Sequence, residues 1–201
     1  MIEIFDSKEN YILEDARVLL RPLEKGDLVH LLPFSLKEQD LWKYSFISLA
    51  GENGLRNYID IAIEERHSER QYPFIVFDKS TNEYAGSTRF YDINLPFKTL
   101  QLGYTWYGEK FQGTGVNKHC KYLLLSFAFE KLEMERVEFH ADNNNARSIA
   151  AMKSIGCKVE GVLRSHKPTQ QEGIRRDSIV LSILKDEWLN GVKENLKAQL
   201  V

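Results

Sequence analysis

The chain has 201 residues, 43% of them hydrophobic and 28% charged, with a formal net charge of -2 at pH 7. That length can bury a full core without metal or disulfide staples, and the charge balance excludes a globally basic protein drawn to nucleic acid or anionic lipid. The start MIEIFDSKEN lacks a basic-then-apolar leader pattern and no stretch reaches the ~18 apolar residues of a membrane helix, so a cytoplasmic protein without nucleic-acid or membrane partners is expected.

In chain order, Arg17 to Arg21 (RVLLR) reads as a strand that Pro22 stops, and Asp27 can cap a short helix through Leu32. Leu55, Tyr58, Ile59, Ala62 and Ile63 have the three-four spacing of a helix over Leu55 to Glu65. Phe74 to Phe77 and Tyr84 to Ile93 flank the turn-forming DKSTNE and form a hairpin, and Leu100, Leu102, Tyr104 and Trp106 alternate as a third strand. From Val116 to Leu132 the apolar spacing predicts a helix of about 25 Å. Val137, Phe139 and Ala141 alternate as a strand, and Ala146 to Ile155 is a helix that Gly156 closes. Lys158 to Leu163 and Ile179 to Leu184 are the last strands, joined by HKPTQQEGIRRD as one loop. The hairpins imply antiparallel pairing, and the helical crossover between Tyr107 and Val137 implies a parallel pair in the middle of a mixed sheet. No repeat or low-complexity linker interrupts this order, so residues 1–201 are expected to be one domain, with a core over about 15–188 and a helical tail over 186–201.

Cys120 and Cys157 lie in apolar patterns without a Cys-x-x-Cys spacing and are expected to be reduced, buried thiols. His119 and Cys120 are adjacent on a helix and point apart, so no metal site is expected. The stretch FQGTGVNK sets two glycines before the long helix, where free amides and the helix dipole favour an anion. Gly108 and Gly113 have the gap of a P-loop, but Thr114 and Gly115 stand where Lys and a hydroxyl are needed. Gly113 and Gly115 begin a dinucleotide fingerprint, but Lys118 stands where its third glycine belongs. The remaining possibility is a turn, Gln112, Gly113, Thr114, Gly115, Val116, Asn117, whose amides from Gly113 to Lys118 wrap a pyrophosphate.

That turn, between a central strand and its helix, resembles the [Q/R]-x-x-G-x-[G/A] loop of the GNAT superfamily of N-acetyltransferases, with Asn117 as a departure at the last position. The order of elements from Arg17 to Leu184 is similar to that superfamily's fold. Asn145 and Ser148 followed by IAAMKSIGC, with LRP near Arg21 and EGVLR from Glu160, resemble the RimJ and RimL type of ribosomal-protein N-terminal acetyltransferase. The resemblance implies an α/β fold with a mixed, mostly antiparallel sheet of seven strands, helices on both faces and a splayed parallel pair at the centre. It also implies that acetyl-CoA is the cosubstrate, that its pantetheine arm pairs with backbone of Thr105, Trp106 and Tyr107, and that Asn145 holds a pantetheine amide from the other side. A backbone N–H near Trp106 would polarise the thioester carbonyl.

Many relatives carry a tyrosine acid where this chain has Met152, so Ser148 is the replacement expected near the CoA sulfur. It also has an ordinary alternative, bonding backbone in the first turns of its helix. For the base, Glu160 comes first as a strand residue beside the splay, with a solvated strand residue as its alternative, and His166 and Asp177 follow from the last loop. An α-amine near pKa 7.8 is about 14% neutral at pH 7, whereas a lysine near 10.4 lies roughly 4.6 kcal/mol from its reactive form, so an N-terminus needs less help. Tyr91, Tyr104, Trp106 and Tyr107 either wall a substrate groove or belong to the core. The expected acceptor is a protein N-terminus or a small-molecule amine. The alternatives are an enzyme for polyamines or aminoglycosides alone and an acyl-CoA-binding module without chemistry. A monomer or a homodimer fits equally.

Overall fold

The computed structural model describes residues 5–200. Its strands are β1 (Leu13–Glu14), β2 (Val18–Pro22), β3 (Gln71–Asp78), β4 (Glu83–Asn94), β5 (Thr99–Tyr107), β6 (Arg136–Asp142), β7 (Lys158–Pro168) and β8 (Arg175–Leu184). They form one eight-stranded sheet in the order β1-β2-β3-β4-β5-β6-β8-β7. β5 and β6 pair parallel and all other neighbours antiparallel. The sheet is one strand larger than expected because Leu13 and Glu14 pair with Leu20 and Leu19. So short a ladder carries no alternation to read.

The main helices are α1 (Leu28–Lys37), α2 (Gly51–His67), α3 (Val116–Ser126) and α4 (Ala146–Ser154), followed by the short α5 (Lys185–Glu187) and α6 (Lys193–Lys197). None among the described residues is long and apolar enough to cross a membrane. α1 and α2 cover one face, where Phe34 meets Trp106 and Tyr58 reaches Ser87. α3 covers the other, and Phe127 at its end packs against Phe90 of β4 and Tyr11.

Three elements depart from expectation for identifiable reasons. α1 runs through Pro33 to Lys37. The missing amide costs one helical bond, which burial of Leu31 and Phe34 in the core offsets. The long helix is regular only to Ser126 and continues as a π-helical turn over Phe127–Lys131, with the Leu132 amide bonded to Phe127 O at 3.0 Å. That wider turn sends Phe127 to Tyr11 and Phe129 to the buried Trp188. Much of HKPTQQEGIRRD is strand, since Lys167 pairs with Arg176 and Pro168 with Arg175. Cross-strand bonds organise residues whose composition reads as loop, and Pro168 is tolerated because it ends an edge strand. Gly156, at φ 98°, closes α4 as anticipated, with the Cys157 amide bonded to Met152 O at 3.2 Å.

Candidate active site at the splay of β5 and β6

β5 and β6 pair only where Thr99, Leu100 and Gln101 meet Arg136, Val137 and Glu138. Beyond that point β5 continues to Tyr107 and β6 to Asp142 without pairing to each other, and a V opens between them. A bulge in β5 contributes to the opening. The register with β4 moves from Arg89↔Gly103 to Ser87↔Trp106, so Thr88 alone faces both Tyr104 and Thr105, and Tyr104 takes φ 49°. An extra residue of this kind bends its strand and slips the side-chain phase. Leu102, paired with Phe90, lies on the α3 face. After the bulge Thr105 and Tyr107 face α3, against Lys121 and Cys120, while Tyr104 meets Arg89 and Trp106 meets Trp42 on the opposite face. Uniform alternation of Leu100, Leu102, Tyr104 and Trp106 therefore does not hold. The cleft has a volume of about 850 Å³, and Tyr91, Tyr104, Thr105, Trp106 and Tyr107 all line it.

The glycine turn forms one wall of this cleft. Gly113 and Gly115 take φ 75° and 93°, and Gly115 is the N-cap of α3. Among the described residues the amides of Gly113, Thr114, Gly115, Val116 and Asn117 donate to no acceptor, whereas those of Lys118 and His119 close onto Gly115 O at 2.9 and 3.2 Å. The amide cradle is thus one residue shorter than expected, because the first turn of the helix tightens. Lys118 and Asn117 line the cleft, and the Val116 side chain is buried in the core. Thr114 Oγ1 donates to Phe111 O at 2.7 Å, and Gln112 Nε2 donates to Tyr107 O at 2.9 Å while its Oε1 accepts from Arg147 of α4. Gln112 so ties the end of β5 to the helix across the mouth.

Asn145 caps α4 by accepting from the Ser148 amide at 3.1 Å, and both residues line the cleft with the buried Met152. Glu160 does not reach it. Its exposed carboxylate accepts from the Ser182 hydroxyl and from Arg136 Nη1 at 2.8 Å, and these partners, Ser182 first, hold it below the usual carboxylate range. His166 is outside the cleft lining with its ring 5.6 Å from that of His140, its buried Nδ1 has no partner among the described residues, and burial lowers its pKa. Asp177 accepts from the Ser165 amide at 2.7 Å and also lies outside the cleft lining.

Residues 17–158 match the family model described as the Acetyltransferase (GNAT) domain. The chain belongs to the GNAT acetyltransferase family. It is an N-acetyltransferase. The "Uncharacterized N-acetyltransferase p20" of Bacillus licheniformis is 27% identical over 177 residues, which cover 88% of this chain and 97% of that protein. A GCN5-related N-acetyltransferase from Brucella melitensis superposes with a TM-score of 0.87 at 24% identity, over 98% of this chain and 88% of that one. Mycobacterium smegmatis RimJ in complex with CoA-disulfide superposes with a TM-score of 0.79 at 18% identity, over 94% and 93% of the two chains. At these identities the structural likeness speaks for the fold alone.

Two side chains of this GNAT cleft escaped the sequence reading. His140 of β6 lines the cleft and bonds Glu138 Oε1 through Nε2 at 2.7 Å. The i, i+2 spacing on a strand was its only signal, visible once β6 is known to splay. Lys121 of α3 is 5% exposed, donates to Thr105 Oγ1 at 2.8 Å and lies over the Phe139 ring. On a helical wheel it reads as a solvated position, and nothing local says that Thr105 and Phe139 of the sheet meet it. Burial pushes its pKa down from 10.5 to about 8, opposed only by the thiols of Cys120 and Cys157. Those thiols are buried and free, and burial pushes each up to about 12.

Below pH 8 the folded and unfolded chains both carry the Lys121 proton, and folding bears the full cost of burying the charge. Between about 8 and 10.5 the folded chain sheds it first, so stability rises with pH across that window. Lys121→Met should therefore raise the unfolding free energy by about 1–3 kcal/mol at pH 7 and lose that advantage toward the top of the window. Thermal melts of both proteins at neutral and alkaline pH check this; equal melting temperatures at pH 7 would contradict it.

Proposed function

We propose that this cleft transfers an acetyl group from acetyl-CoA to an amine, with a protein N-terminal α-amine as the first acceptor class, in the manner of the RimJ and RimL branch. The observation that carries this is the run of unpartnered amides from Gly113 to Asn117, set at a helix N-terminus beside an unpaired β5 edge. Lys118 and Arg147 add positive charge along the same wall and suit phosphates. When bound, acetyl-CoA supplies the activated thioester. The turn amides would hold its pyrophosphate, the open edge of β5 from Thr105 to Tyr107 would pair with its pantetheine amides, and Asn145 would orient the arm from α4. The CoA-disulfide in complex with RimJ, a neighbour in fold, supports this assignment. The reduced thiols suit a cytoplasmic setting.

Ser148, which lines the cleft, would donate a hydrogen bond to the departing sulfur. Ser148→Ala should lower kcat about 10-fold with CoA affinity unchanged. An unchanged kcat would remove Ser148 from the chemistry. Thiol release from acetyl-CoA across a panel of N-terminal peptides, polyamines and aminoglycosides tests the function itself. CoA binding without acceptor-dependent thiol release would identify a binding module, and absence of CoA binding would overturn the proposal.

A further inference from the structure

β6 carries a connected polar row on the face away from α3. Arg136 donates to Glu138 Oε2 from Nη2 at 2.9 Å, and Glu138 Oε1 meets His140 Nε2 at 2.7 Å. Val137, Phe139 and Ala141, the alternating residues, are buried on the other face. The row therefore faces the side of the sheet opposite the glycine turn's helix. There the amine must arrive if the nucleotide lies along α3. Arg136 also binds Glu160, so the carboxylate that the sequence favoured as a base instead neutralises the cation that steadies Glu138.

The His140 side chain is only 10% exposed, and its Nδ1 has no protein partner among the described residues. A carboxylate that accepts from Nε2–H fixes the tautomer with a lone pair on Nδ1. The same logic orients histidine bases in hydrolases on unrelated folds. Other charged and titratable groups around it are His166 on β7, whose ring lies 5.6 Å from that of His140, and, lining this end of the cleft, Asp142 on β6, Arg176 on β8, Lys167 on β7, Tyr91 on β4, Tyr104 on β5 and Asp40 in the 3-10 turn after α1. Arg176 donates to Ser178 Oγ and Tyr44 O and stacks on Phe46, and Asp142 accepts from the Asn144 amide. Each of those two is occupied, and His166 lies outside the cleft lining, so His140 is the imidazole that lines the cleft with an open lone pair.

We propose that His140 is the general base of this acetyl transfer, accepting the acceptor's proton at Nδ1, and that Glu138 positions it. The inference rests on the acetyltransferase function proposed above. As the nitrogen–carbonyl bond forms and the carbon–sulfur bond breaks, the proton lost from nitrogen moves to Nδ1. The electron pair of the broken bond leaves on sulfur as the CoA thiolate, and the imidazolium returns its proton to water in the open cleft.

The test combines kinetics with a tautomer measurement. His140→Gln should lower kcat/KM about 30-fold at pH 7 with CoA affinity unchanged, and the residual rate should climb with pH in step with the unprotonated amine. Glu138→Gln should lower kcat about 10-fold without changing the acceptor KM, and the double variant should be no slower than His140→Gln alone. Long-range proton–nitrogen NMR of the wild-type imidazoles, with His140 assigned by its loss in the variant, should show the Nε2–H tautomer. A wild-type pH profile in folded His140→Gln, or an Nδ1–H tautomer in the wild type, would overturn the role of His140 and leave acetyl transfer standing. A wild-type protein that binds CoA but acetylates no amine would overturn both.

Discussion

Gly115→Val should weaken CoA binding at least about 100-fold, or about 2.7 kcal/mol, while costing the fold about 1–3 kcal/mol. Gly115 holds φ 93° at the N-cap of α3, a conformation that a β-branched residue adopts only under strain. Relief of that strain turns the peptide units on either side. The amides from Gly113 to Asn117 then no longer converge. Because the same residue starts the helix, Lys118 and His119 would also lose their common acceptor, Gly115 O. Calorimetric titration with CoA beside a urea melt separates the two effects. A folded variant with wild-type affinity would show that the pyrophosphate lies elsewhere.

Gly86→Ala should lower the unfolding free energy by about 3 kcal/mol or more. A Cβ on Gly86 would lie 2.0 Å from Trp106 O and 2.9 Å from Tyr107 Cα, backbone atoms that cannot rotate away. Gly86 pairs with Val76 on β3 and Tyr107 on β5, with a register shift in the ladder on each side. Relief would have to come from separating β4 from β5 beside the bulge, where Thr105 and Trp106 line the cleft. Any protein that does fold should show weakened CoA binding as well as a lower urea midpoint. An unchanged midpoint would mean that the strands accept the methyl group.

Much of the fold was legible because its signals are local. Alternation marked β6, the DKSTNE turn marked the hairpin of β3 and β4, the three-four spacing marked α2, and Gly156 marked the end of α4 through its left-handed backbone. The glycine turn was legible for the same reason, since Gly113 and Gly115 are needed for their own φ. Where local signals conflicted with packing, packing won. Pro33 stays inside α1 because Leu31 and Phe34 are buried there, and the polar run after His166 forms strands because β7 and β8 complete each other's hydrogen bonds.

The interior of the cleft was far less legible. The bulge at Tyr104 and Thr105 depends on how β4 aligns against β5, which alternation within either strand cannot report. Glu160 and His140 look alike as strand residues, yet Arg136 and Ser182 hold one away from the cleft while the splay opens it toward the other. Lys121 became a buried amine only when Phe139 and Thr105 closed over it.

By itself the sequence determined the order of elements, the central crossover and the anion turn, because each follows from backbone preference and from apolar spacing within one segment. The register of β4 against β5, the depth at which the parallel pair parts, and the placing of His140 and Lys121 were decided by the tertiary structure. Those features belong to pairs of segments far apart in the chain, and their energies exist only once the segments meet.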